Sequence, residues 1–157
     1  MSAFFMYYIY IIYSLRDHSK AILIIFFSLF ITLSSVFGQT VIHASDYGVR
    51  SNSFENASTA VPKAIDACKG KRDAVLMLPG GRIDIWREGA TKRELYISNS
   101  TEDDDLPKVK NIAFLFEDCK NITPDGNNTV VVLHGKMVSF AILNSSNIKI
   151  RNIRFKG

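Results

Sequence analysis

The sequence predicts a mainly β protein, a stack of coils forming a parallel β-helix. Through Asn111–Phe155, short apolar runs alternate with clusters of Asn, Asp, Gly and Ser, and the dipeptide Asn-Ile recurs at 111, 121, 147 and 152. The step from 121 to 147 is 26 positions, within the range of periods at which repeated segments stack into solenoids. Runs such as Thr129–Leu133 and Val138–Leu143 are rich in β-branched and aromatic residues that fit a pleated surface. The polar clusters between them are turn formers. In a stack of coils about 4.8 Å apart, the Asn side chains can bond to one another in a ladder. An antiparallel β-sandwich with polar turns accounts for the same alternation and stays open as the alternative.

The remaining elements follow in chain order. Residues 1–38 read as a leader outside the fold. Lys20 precedes the apolar run Ala21–Thr32, and Val36 and Gly38 satisfy the small-residue rule for signal peptidase, so cleavage is expected after Gly38. A secreted or periplasmic location follows, with membrane contact only through this segment. Ala3–Tyr13 is an apolar, aromatic stretch where a basic region belongs. It reads either as residues ahead of a true start nearer Arg16 or as half of a membrane hairpin over 3–37, although each run is shorter than the ~20 residues of a spanning helix.

Residues 39–110 are expected to form a cap and the first strands. Thr40–Tyr47 reads as a strand. Val61, Ala64, Ile65 and Cys68 share one face of a helix. Pro62 restricts its start to Ser58 or Thr59, either of which offers a capping hydroxyl. Gly70 supplies the stop. Ala74–Leu78 is a buried strand, Pro79-Gly80-Gly81 a turn, Arg82–Trp86 an alternating strand, Glu88–Lys92 a loop, and Arg93–Asn99 contains another strand. Glu102–Asp105 is an acidic run without the glycine and alternating ligands of a calcium loop, and reads as a solvated loop. A helix before the first coils suits a solenoid, whose open end otherwise exposes core and strand edges. Residues 111–157 are the coils. Nothing after the strand-like Asn152–Phe155 would cover the last one, so the chain reads as the N-terminal part of something longer.

Composition removes several function classes. Lys and Arg are interleaved with acids along a chain of net charge +4, so no basic patch points to nucleic acid. Cys68 and Cys119 lack metal-ligand spacing, and two thiols make no disulfide framework. Cys68 reads as a buried free thiol, with a Cys68–Cys119 bridge as the alternative.

Two stretches resemble known families. Ala44–Val49 followed by Ala64–Cys68 is similar to the N-terminal cap of secreted pectate-lyase-like β-helix proteins. More specifically, Ile85–Ala90, Lys92–Asn99, Asp125-Gly126 and His134–Met137 resemble the N-terminal region of glycoside hydrolase family 110. The resemblance implies a right-handed parallel β-helix and an exo-α-1,3-galactosidase that releases terminal α-galactosyl residues with inversion. It implies no metal and no organic cofactor, and catalytic carboxylates on later coils, beyond residue 157. On that basis this part is expected to be inactive by itself.

Inverting hydrolysis needs two carboxyl groups roughly 6.5–9.5 Å apart. Asp84, Glu88, Glu94, Glu117, Asp118 and Asp125 are the candidates present. Glu117 and Asp118 are adjacent and would face opposite ways in a strand. Asp125 sits in a Pro-Asp-Gly turn sequence that explains it. All six read as surface or turn acids, and no catalytic residue is assigned. Trp86 offers an indole face for a sugar ring, and His134 and Lys136 offer donors to sugar hydroxyls. The alternatives are a core or cap role for Trp86 and turn or surface roles for His134 and Lys136. A non-catalytic carbohydrate-binding or adhesion module is the second functional expectation, and a polysaccharide lyase part the third.

Overall fold

The computed structural model describes Tyr10, Ile22 and residues 38–95 and 108–157. The chain forms two units, Met1–Gly38 and Gln39–Gly157. The leader and its cleavage site, the second half of the strand expected over Arg93–Asn99, and the acidic run Glu102–Asp105 lie largely or wholly outside the described residues.

The second unit's described residues hold nine strands, one α-helix and one short 3-10 helix. The strands are β1 (Thr40–His43), β2 (Ala74–Met77), β3 (Arg82–Trp86), β4 (Thr91–Glu94), β5 (Val109–Glu117), β6 (Lys120–His134), β7 (Val138–Leu143), β8 (Ser146–Ile148) and β9 (Arg151–Lys156). The helix α1 spans Ala60–Cys68. The protein is mainly β, and its pairings are parallel except for β4 against β5. That excludes the antiparallel sandwich.

Strand β6 is the spine. Its first half pairs with β2 and β8, and its second half with β3 and β9. Strand β5 lies between β4 and β7. The 26-residue step read from Asn-Ile is the observed register: Lys120 pairs with Ser146 and Ile122 with Ile148. Ile112 likewise pairs with Val138, and Phe114 with Phe140. The ladder forms too, with Asn147 Nδ2 donating to Asn121 Oδ1 at 2.8 Å and Asn144 donating to Asp118. All four residues have positive φ. Asn and Asp tolerate this conformation because a short polar side chain can bond locally there.

The core holds the inward residues of the strands: Leu76, Ile83, Ile85, Phe114, Phe116, Ile122 and Val131 are all fully buried. Phe114, Phe140 and Phe155 interlock, with Phe155 edge-on to the other two rings. Val61, Ala64, Ile65 and Cys68 of α1 join this core, and α1 packs against β1, β2 and β5. Cys68 and Cys119 are both buried free thiols. Burial, and then the neighbouring Cys119, push the Cys68 thiol up to about 11.

Four local expectations are corrected. The first strand stops at His43, because Ala44–Tyr47 winds into a 3-10 turn closed by Gly48 at φ 94°. Neither hydroxyl caps α1. Thr59 is already in helical backbone geometry, and the carbonyl of Ala57 accepts the first amides, from Ala60 and Val61 at 3.0 Å each. Ser58 turns its hydroxyl to the carbonyl of Trp86 instead. Glu88–Lys92 is a loop only to Ala90, since β4 begins at Thr91. Pro124-Asp125-Gly126 lies within β6, and the positive-φ bend falls on Asn127 and Asn128. Asp125 accepts the Asn127 amide at 3.0 Å and so holds that bend.

Candidate functional site

Alternation in Arg82-Ile83-Asp84-Ile85-Trp86 sends two isoleucines into the core and Arg82, Asp84 and Trp86 to the other face. Register completes the group, because Trp86 pairs with His134 of β6. Their rings stack at 4.0 Å between centroids and 7° between planes. The imidazole Nε2 lies 2.7 Å from Asp84 Oδ1. Arg82 clamps the same carboxylate, with Nε 2.9 Å from Oδ2 and one terminal nitrogen 2.6 Å from Oδ1. Asp84 is only 1% exposed. Burial alone would raise its carboxyl, but the hydrogen bonds from Arg82 and His134 outweigh burial and hold it below its ordinary value.

The segment before α1 braces this group from the outer side of β3. Asn56 bridges to Asp84 in parallel register, and its Oδ1 accepts the Trp86 amide at 3.1 Å. Its Nδ2 donates to the Glu88 carbonyl at 3.0 Å. The Ser58 hydroxyl, 1% exposed, donates to the Trp86 carbonyl at 2.8 Å. The Trp86 main chain is thus held by Asn56 and Ser58, and its indole is stacked on the His134 imidazole.

Of the three residues expected to meet a sugar, Trp86 and His134 come together. Lys136 is exposed in the bend after β6. Arg82, Asn56 and Ser58 were not foreseen as parts of the group. Arg82 was readable, since it shares the alternating face of Asp84. Asn56 and Ser58 carried no signal, because a polar loop gives no register.

The candidate acids are mostly engaged. Glu117 is held bidentate by Arg93, with contacts of 3.1 and 2.6 Å, and that pairing lowers its carboxyl. Asp125 accepts from the Asn127 amide, from Asn152 at 3.0 Å and from Arg151 at 2.8 Å. Those partners, the Asn127 amide first, lower its carboxyl as well. Asp118 accepts from Asn144. Glu88 sits 3.6 Å from Arg87 and, with Arg87, Gly89, Lys92, Val109 and Asn111, lines an open cleft of about 390 Å³. Glu94 ends β4 on the surface. Among the described residues, no group of three or more His, Cys, Asp or Glu side chains is placed to hold a metal ion.

No protein-family model matches the chain. Individual relatives do. The alpha-1,3-galactosidase A of Bacteroides fragilis strain YCH46 is 38% identical over 113 residues, which cover 71% of this chain and 19% of that protein. The alpha-1,3-galactosidase B of Bacteroides fragilis strain ATCC 25285 is 38% identical over 140 residues, covering 85% of this chain and 23% of that protein. This chain is related to the alpha-1,3-galactosidases. That of Bacteroides thetaiotaomicron, a B form, agrees at 34% identity over 125 residues, 80% of this chain and 20% of the relative. The chain therefore spans about a fifth of the length of the curated galactosidase relatives it matches.

Proposed function

We propose that this chain supplies the N-terminal part of a secreted glycosidase that releases terminal α-1,3-linked galactose with inversion. In this reading residues 1–38 are a cleaved leader, 39–110 the cap and first strands, and 111–157 the first coils of a right-handed parallel β-helix. The similarity to alpha-1,3-galactosidase B at 38% identity over 140 residues carries the proposal. The parallel pairing at a 26-residue step supports the β-helix. The division into units after Gly38 supports the leader.

The chain's role is to cover and template the coils that carry catalysis, and by itself it is inactive. Four candidate acids are held by partners in ion pairs or hydrogen bonds, which leaves them poorly suited to activate water or protonate a leaving oxygen. Trp86, His134 and Lys136 are the residues proposed to meet an α-galactosyl glycan. The Asp84–His134–Trp86 stack would present a pre-set indole edge and imidazole to it.

A chimera tests the proposal. This chain replaces the matching segment of the Bacteroides fragilis alpha-1,3-galactosidase B, and galactose release from an α-1,3-galactoside is measured. Activity within about tenfold of the parent enzyme is expected, since a cap acts on positioning rather than on the chemical step. A folded chimera without turnover would favour the second reading, a non-catalytic carbohydrate-binding or adhesion module. Galactose release by the chain alone would sink the claim that it is inactive.

A further inference from the structure

We propose that the outer face of the β3–β6–β9 sheet binds an anionic glycan chain. The proposal rests on the glycan-handling reading above for the class of polymer, and on the face itself for its charge. Parallel partners share a face, so the register sets out two rows. Arg82, Val130 and Arg154 form one, and Asp84, Val132 and Lys156 the next. Trp86 and His134 stand one step further along. Neighbouring strands are about 4.8 Å apart, which places Arg154 roughly 10 Å from Arg82 across the sheet.

The only acid in these rows is hidden. Asp84 is 1% exposed and taken by Arg82 and His134. Arg154 and Lys156 are exposed, and neither has a carboxylate partner among the described residues. The charge the face shows to solvent is therefore cationic, beside an aromatic stack.

A second observation lies next to it. Phe54 is 63% exposed, holds φ at 58°, and lies under the Arg82 guanidinium at 4.7 Å. A bulky residue with positive φ is an outlier that the surrounding structure must maintain. Here it sets an aromatic ring in solvent at the margin of the cationic rows. Aromatic rings stack on the apolar faces of sugars, and the guanidinium and ammonium groups neutralise acidic substituents along the same strand of polymer.

Trp86 is the chain's one tryptophan, so intrinsic fluorescence reports binding at this face. The full chain is titrated with a sulfated galactan, with a neutral α-1,3-galactosyl oligosaccharide, and with single-stranded DNA. The expected result is a saturable change in Trp86 emission with the sulfated galactan that weakens as salt rises. Reversing two charges, Arg154→Glu with Lys156→Glu, should weaken binding at least roughly tenfold. The control pair Lys63→Glu with Lys71→Glu changes net charge equally, away from this face, and should leave binding nearly unchanged. Arg154→Gln with Lys156→Gln serves if the reversed pair melts early.

No response to the sulfated galactan overturns the inference, as does equal loss in both variant pairs or equally tight binding of DNA. A neutral oligosaccharide that binds as well as the sulfated galactan, and equally in the Arg154/Lys156 variants, also overturns it. That last outcome leaves the galactosidase reading standing.

Discussion

Asp84 concentrates the structure's electrostatics in one side chain. A buried carboxylate is tolerated only with partners, and it has two, Arg82 at 2.6 Å and His134 at 2.7 Å. Replacing it by Asn keeps the shape but removes the charge that both partners address. Because Arg82 is itself 40% exposed, water recovers part of the loss, and Asp84→Asn should cost about 1–3 kcal/mol in urea unfolding. The pH dependence has a fixed sign. The folded state lowers the Asp84 carboxyl, so its contribution is present above the unfolded value of about 3.9 and is lost as pH falls through the folded one. The wild-type melting midpoint should therefore drop on acidification below about pH 4, and the drop should be shallower in Asp84→Asn. Equal slopes would show that other carboxylates, such as Asp125, carry the acid sensitivity. At this scale the sequence was half legible. Alternation set Arg82, Asp84 and Trp86 on one face, but His134 is 48 positions further along from Trp86, and no local pattern carries a pairing across intervening loops.

At the scale of elements, β9 leaves no room for a side chain at Gly126 of β6. A methyl group there would collide with the Asn152 carbonyl oxygen and with Ile153 Cγ1. The first is backbone and cannot swing aside. Gly126→Ala should therefore destabilise the fold by about 1–3 kcal/mol through overpacking, lowering the thermal midpoint by several degrees. An unchanged midpoint would mean that β9 shifts freely. This close approach also explains why Pro124-Asp125-Gly126 misled as a turn. The glycine serves contact between neighbouring strands, and the bend is made directly after it by Asn127 and Asn128 at positive φ. The helix was more readable, since its apolar face repeats at helical spacing and all four predicted residues are buried. Its cap was not, because Ser58 is drawn to the Trp86 carbonyl, and that partner is far away in the chain.

At the scale of the whole molecule, register carries the fold. One residue inserted into the exposed bend after Gly135 should leave the circular-dichroism melt nearly unchanged, since loops absorb length at little cost. The same insertion after Phe140 would turn the rest of β7 to its opposite face and abolish the cooperative transition. If both variants melt alike, the pairing of β5 with β7 contributes little. Much of this scale was legible in advance from one repeated dipeptide, whose spacing is the spacing of the pairs. The spacings of 34 between β1 and β2 and 48 between β2 and β6 were hidden, because a helix and variable loops separate those strands. The 26-residue step has a further consequence, for genes rather than chains. In the proposed β-helix, duplicating one repeat in frame would copy a strand together with its corners and its asparagine, and so supply both the new layer and the surface on which the following one docks. Such a solenoid would lengthen by unequal crossing-over without redesign of what came before, leaving chemistry free to arise on whichever layer selection reaches.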